Sequence, residues 1–211
     1  MATSPPLRIL SVDPGLANFG MVEMEGKEIL RARNQRIGRK GDCWEEILQG
    51  LGTALRDRKL QQPDLVVIEN NIFGMHRTVP LNAFVQSAVG GYFLALDCPV
   101  YFMRPHDKFK TFRSFPMPTD AKKNMKTKSL FIANTLFENG IVFSSTQGCR
   151  EAFLVCDHLC DALLQGLSLL EWDDPLPWKQ NSLPSNDSSP QDSASSIGQP
   201  PPSCVEGGAG L

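Results

Sequence analysis

The chain has 211 residues, 41% of them hydrophobic, and a formal net charge of -2; that is enough to close one substantial core, and a single folded unit is expected. No apolar run approaches the roughly 20 residues that a membrane-spanning helix needs. The first ten residues lack the basic, apolar and small-residue pattern of a cleaved leader, so a protein of the cytoplasm or nucleus is expected.

In chain order, Arg8 to Asp13 is a short apolar run with a polar end, closed by the turn pair Pro14 and Gly15, which reads as strand then turn. A second strand is predicted over 19–24 and a third over 28–34, with Glu25, Gly26 and Lys27 as the tight connection between them. Trp44, Ile47, Leu48, Leu51, Ala54 and Leu55 recur at helical spacing, and Asp42 is placed to cap that helix. Leu65, Val66, Val67, Ile68 and Glu69 form a continuous apolar run ending in an acid, the pattern of a central strand buried on both faces. Helices are then predicted over 79–96, 122–137 and 150–170, with a strand over 100–103 between the first two. Three hairpin-linked strands followed by β-α alternation imply an α/β fold with a mixed sheet. Residues 173–211 are rich in Ser, Pro, Gly, Asn and Gln and poor in large apolar residues, so a disordered tail is expected beyond a folded domain of residues 1–172.

Six cysteines, at positions 43, 98, 149, 156, 160 and 204, include no CxxC pair, which disfavours a zinc module and favours free buried thiols. Charge is uneven. Between residues 104 and 128 lie Arg104, Lys108, Lys110, Arg113, Lys122, Lys123, Lys126 and Lys128 against Asp107 and Asp120, either a solvated face or a phosphate-contacting surface.

Three acidic positions carry the chemistry. Asp13 and Glu69 each end a strand, and at the carboxyl ends of strands in open α/β sheets side chains reach the crevice where ligands bind. Taken singly, Asp13 also fits a turn cap and Glu69 the point where a buried strand meets solvent. On the last helix Asp157 and His158 stand four and three residues before Asp161 and share a face with it, which a solvated polar face would also explain. An oxygen-rich set of this kind suits hard ions such as Mg2+ or Mn2+, and two ions about 3.5 to 4 Å apart can activate water and stabilise the leaving oxygen of a phosphodiester.

These residues resemble a known family, the RuvC-like Holliday junction resolvases of the RNase H-like superfamily, especially its poxvirus, iridovirus and mitochondrial branch. Three blocks carry the likeness, in family order. The run from Ile9 to Asp13, then Pro14, Gly15, Asn18 and Gly20, is similar to the opening motif; Val66, Val67, Ile68 and Glu69 resemble the central strand; Cys156, Asp157, His158, Leu159, Cys160, Asp161 and Ala162 look like the last-helix motif. The resemblance spans roughly residues 7–170. It implies a mixed five-stranded sheet, antiparallel in its first three strands and then parallel, flanked by helices. It also implies a homodimer that nicks two symmetry-related strands of branched DNA at a four-way junction, with no nucleotide cofactor. Asp13, Glu69 and Asp161 would be metal ligands, for Mg2+ with Mn2+ as a substitute and two ions per subunit. The fourth ligand stays open between Asp157, the first choice, and His158, which also suits a general acid or base. Phe73, the aromatic after the central glutamate, would be a base-stacking wedge or a core residue, and Lys122, Lys123, Lys126 and Lys128 fall where the family contacts DNA.

The rival readings are an RNase H-like nuclease acting on flap DNA or RNA-DNA hybrid, a non-catalytic DNA-binding scaffold, and an actin-like phosphotransferase. The last lacks a second phosphate loop in the sequence.

Overall fold

The computed structural model of the chain describes residues 5–56, 62–70, 80–113, 115–119 and 124–170. The expected tail lies outside them, as do Phe73, Lys122 and Lys123. Strands β1 (Arg8–Pro14), β2 (Phe19–Glu25) and β3 (Glu28–Gln35) form an antiparallel meander, and Gly26, at φ 56, supplies the left-handed residue of the β2–β3 turn. Strands β4 (Leu65–Glu69) and β5 (Val100–Met103) continue the sheet in parallel with β1, in the order β3-β2-β1-β4-β5. The expected mixed five-stranded sheet is present.

Helices cover both faces, which is why β1 and β4 are buried at nearly every position. On one face Leu10, Val12, Val66 and Ile68 pack against Ile47, Leu51 and Leu55 of α1 (Trp44–Arg56) and Val85, Val89 and Phe93 of α2 (Pro80–Leu94). On the other, Ile9, Val22, Met24 and Val67 meet Ile132 and Leu136 of α3 (Met125–Glu138), Phe153 of α4 (Cys149–Val155), and Leu159, Leu163 and Leu167 of α5 (Asp157–Leu167). None of the described helices is long and apolar enough to cross a membrane.

Strand alternation positions the acids. Ile9, Ser11 and Asp13 share the face covered by α5, and Val67 and Glu69 share it too, because side chains repeat every two residues. With Ser11 opposite Val67 and Val12 opposite Ile68 in parallel register, Asp13 and Glu69 come to the same edge of neighbouring strands.

Three local expectations change. The α1 cap is Cys43, whose backbone N–H donates to Glu46 Oε2 at 2.9 Å, while Asp42 accepts from the Arg39 N–H in the preceding turn. Helix α3 starts at Met125, later than the predicted residue 122, because Asn124 caps it through the Lys126 N–H. The predicted helix over 150–170 is two helices: Cys156 is extended, with φ -124 and ψ 100, and α5 ends at Leu167. The Phe153 carbonyl, which an unbroken helix would give to the residue 157 N–H, accepts instead from Cys160 Sγ at 3.2 Å.

Glycine permits a close approach of α5 to the sheet. Gly20 pairs with Asp13 across β1 and β2, and a Cβ there would stand 2.9 Å from the His158 carbonyl oxygen and 3.1 Å from its carbon. The start of α5 therefore rests directly over the end of β1. The described cysteines are all free, with Cys98, Cys149 and Cys160 buried, as the composition suggested.

Candidate active site

Asp13, Glu69 and Asp161 meet beneath the first turns of α5. Asp13 and Glu69 are only 7% and 8% exposed, and burial pushes the carboxyls of both above the usual range. For Asp13 the hydrogen bond and charge of His158 work against that rise, and for Glu69 the charge of Lys108 does. Each also senses the negative charge of Asp161, so the three act on one another.

The group that holds them together was placed elsewhere by the sequence. Lys108, 1% exposed, lies in a 3-10 turn (Asp107–Phe109) after β5, and its Nζ is 2.7 Å from both Glu69 Oε2 and Asp161 Oδ1. Burial disfavours its charged form, but the two carboxylates outweigh that and hold the ammonium above its ordinary pKa. Sequence reasoning counted Lys108 into the basic surface. The missed signal was the aromatic spacing around it: Phe109, Phe112 and Phe115 are all buried, so the segment that carries Lys108 belongs to the core.

Three further polar side chains complete the frame. Gln165 Nε2 donates to Glu69 Oε2 at 2.8 Å, Ser11 Oγ donates to Gln165 Oε1 at 3.4 Å, and Ser129 Oγ donates to Asp161 Oδ1 at 2.5 Å. Gln165 and Ser129 are polar residues on otherwise apolar helix faces, and neither was singled out from the sequence.

The pair left open at the sequence level divides in space. His158 Nδ1 lies 2.5 Å from Asp13 Oδ2. The bond and charge of Asp13 raise the His158 pKa against the effect of burial, and the two groups titrate as a pair. Asp157 faces away toward Lys126, with Nζ to Oδ2 at 2.9 Å, and its nearer oxygen is 3.8 Å from His158 Nε2. Burial pushes Asp157 up, but the Lys126 hydrogen bond and the His158 charge bring it below the usual carboxylate range.

Of the expected DNA-contacting lysines, Lys126 is exposed and engaged with Asp157. Lys128 is half-buried with its Nζ 4.2 Å from the Phe109 ring centre, and burial lowers its pKa. Within the wider basic stretch, Lys110 pairs with Asp107 at 2.8 Å. The stretch is thus no uniform charged face.

The donor set suits a hard divalent cation, being carboxylate oxygen with one imidazole. Among the described residues no group of three such side chains is already gathered around a point where an ion would sit, and Lys108 explains why: its ammonium stands between Glu69 and Asp161 and neutralises them. A cation would take over part of that charge.

Two outcomes follow. Lys108→Met leaves buried carboxylates unpaired and should lower the unfolding free energy in chelator by about 3 to 5 kcal/mol, with Mn2+ recovering part of the loss; a denaturant titration that moves by under about 1 kcal/mol would remove Lys108 from this role. For His158, a folded-state pKa raised above about 6.5 gives a contribution that is full below that pH and fades as pH climbs through the raised value. The stability gap between wild type and His158→Gln in chelator should therefore be widest near the acid end and close toward alkaline pH, and a gap that grows with pH would contradict the sign.

No protein-family model and no curated protein matches the sequence. Solved structures do match the fold. RuvC of Thermus thermophilus in complex with Holliday junction substrate aligns at TM-score 0.54 and 14% identity, over 77% of this chain and 92% of that one. The yeast mitochondrial Holliday junction resolvase Ydc2 aligns at TM-score 0.55 and 12% identity, over 79% and 80%. Fowlpox virus resolvase in complex with Holliday junction DNA aligns at TM-score 0.53 and 15% identity, over 77% and 95%. The chain shares its fold, the RNase H-like sheet and its flanking helices, with these junction resolvases.

Proposed function

We propose that this protein is a divalent-cation-dependent endonuclease that resolves four-way DNA junctions by paired, symmetric nicks. The observation that carries the reading is the convergence of Asp13, Glu69 and Asp161 at the carboxyl edge of β1 and β4 under the start of α5. The fold shared with three junction resolvases supports it.

In this reading Asp13, Glu69 and Asp161 hold Mg2+, or Mn2+ in its place, with two ions per subunit. Bound there, such ions would supply an activated water and stabilisation of the leaving oxygen. His158 takes the fourth position ahead of Asp157, because its ring bonds Asp13 whereas Asp157 is turned to Lys126. His158 Nδ1 shares a proton with Asp13 Oδ2, and that bond fixes the orientation of the ring at the site. Lys108 keeps Glu69 and Asp161 aligned in a site that would otherwise repel itself. Lys126, exposed beside Asp157, offers a phosphate contact, and such contacts position DNA without reading sequence.

The two-fold chemistry calls for a second copy of the chain. Helix α2 is mostly apolar, with Asn82, Gln86 and Ser87 among its residues, and its exposed face carries Gly91 and Tyr92 with Leu94, which is 57% exposed. We assign this face to the dimer. Sedimentation of wild type as a dimer and of Leu94→Glu as a folded monomer is expected; a monomeric wild type at tens of micromolar would overturn the assignment.

The decisive measurement presents labelled four-way junction, duplex, flap and RNA-DNA hybrid to the protein with Mg2+, with Mn2+ and with chelator. Paired nicks in the junction, lost with chelator and reduced about 1000-fold or more in Asp13→Asn, are expected, the scale seen when one member of a catalytic set is removed. Preference for flap or hybrid would transfer the reading to another RNase H-like nuclease, and binding without cleavage would make the chain a scaffold.

A further inference from the structure

The site carboxylates share a pattern. One oxygen of each is tied off inside the protein: Asp13 Oδ2 to His158, Glu69 Oε2 to both Lys108 and Gln165, and Asp161 Oδ1 to both Lys108 and Ser129. The other oxygen of each, Asp13 Oδ1, Glu69 Oε1 and Asp161 Oδ2, makes no hydrogen bond among the described residues, and none is sealed from solvent.

Gln165 is the unusual member of this frame. It is fully buried on the apolar face of α5, between Leu164 and Gly166, where a polar side chain is costly unless bonded. Its two polar ends have one partner each: the amide nitrogen reaches Glu69 Oε2, and the amide oxygen accepts from Ser11 on β1. The Ser11 hydroxyl fixes which end of the amide faces which strand. Lys108 approaches the same Glu69 oxygen on a long flexible stem. Gln165 does so from a packed helix, close to Met24 and Ile9 at Gly166, and has nowhere to withdraw.

We propose that Gln165, oriented by Ser11, is a positioning residue that dedicates Glu69 Oε1 to the cation and keeps Glu69 a one-oxygen ligand. The inference rests on the assignment of Glu69 as a ligand in the reading above. Its consequence is selectivity. Calcium is larger and takes six to eight oxygens, often with a carboxylate bound through both, whereas magnesium takes six at near-ideal octahedral positions and keeps several waters. A glutamate whose second oxygen already receives an amide and an ammonium cannot turn both oxygens to a metal without breaking those bonds. The site therefore favours the smaller ion.

The test uses the full chain without DNA. Mn2+ binding is followed by the electron paramagnetic resonance of the free ion, with Mg2+ and Ca2+ as competitors, in wild type, Gln165→Met and Ser11→Ala. Methionine fills the same length without a donor, and the alanine variant lets the amide turn over with little change in packing. The ratio of Mg2+ to Ca2+ competition should shift toward Ca2+ by about 10-fold in Gln165→Met, the lower end of what loss of a group behind a metal ligand does, and in the same direction but less in Ser11→Ala. Loss of packing alone would weaken all ions together and leave the ratio in place. An unchanged ratio in both folded variants overturns the proposal. Absence of Mn2+ binding to wild type overturns it together with the ligand assignment. Selective binding that shifts as expected in a protein that cuts no junction supports the positioning role and overturns only the nuclease reading.

Discussion

A single ammonium group organises the functional end of this molecule. Lys108 reaches Glu69 on β4 and Asp161 on α5 at equal distance from within the core, so it joins the sheet to the last helix through charge as well as packing. Gathering three carboxylates, two of them buried, is unfavourable, as the upward push on Asp13 and Glu69 reflects, and an internal cation is one of the few ways to keep such a cluster folded in the absence of metal. The apolar layers of α3, α4 and α5 close over that face of the sheet. Charge on that face is answered by Lys108 at Glu69 and Asp161 and by His158 at Asp13.

The remainder of the site depends on two geometric permissions. Strand alternation places Asp13 and Glu69 on the α5 side of adjacent parallel strands, and Gly20 opposite Asp13 lets the His158 backbone come down onto β2. Together they set Asp13 against His158 without a loop between them. Hydrogen bonds from Gln165 and Ser129 then define the angle at which the glutamate and the last aspartate point.

Much of this was legible in the sequence where residue pattern and backbone geometry coincide. Asp13 and Glu69 were visible because each terminates an apolar strand, and Asp161 because it shares a helix face with Asp157 and His158. The antiparallel meander followed from hairpin spacing, and the buried central strand from its unbroken apolar run. Lys108 was not legible as a core residue, since a lysine in a basic stretch looks solvated unless the phenylalanines around it are weighed. The break at Cys156 was hidden because residues 150–170 keep an apolar period across it; the interruption arises from a thiol reaching back to a carbonyl, which composition does not signal. Asp157 and His158 looked equivalent by spacing, and only the third dimension separates the one turned to Lys126 from the one turned to Asp13.

That break has a further effect. In an unbroken helix the acidic cluster would sit several turns from either end, where backbone dipoles cancel along the axis. With Cys156 extended, Asp157 and His158 open α5 and Asp161 follows in its second turn, so the cluster lies by the helix end that carries about half a positive charge. A short local interruption thus converts part of the backbone into a fixed counter-charge. It is independent of pH and of any side chain.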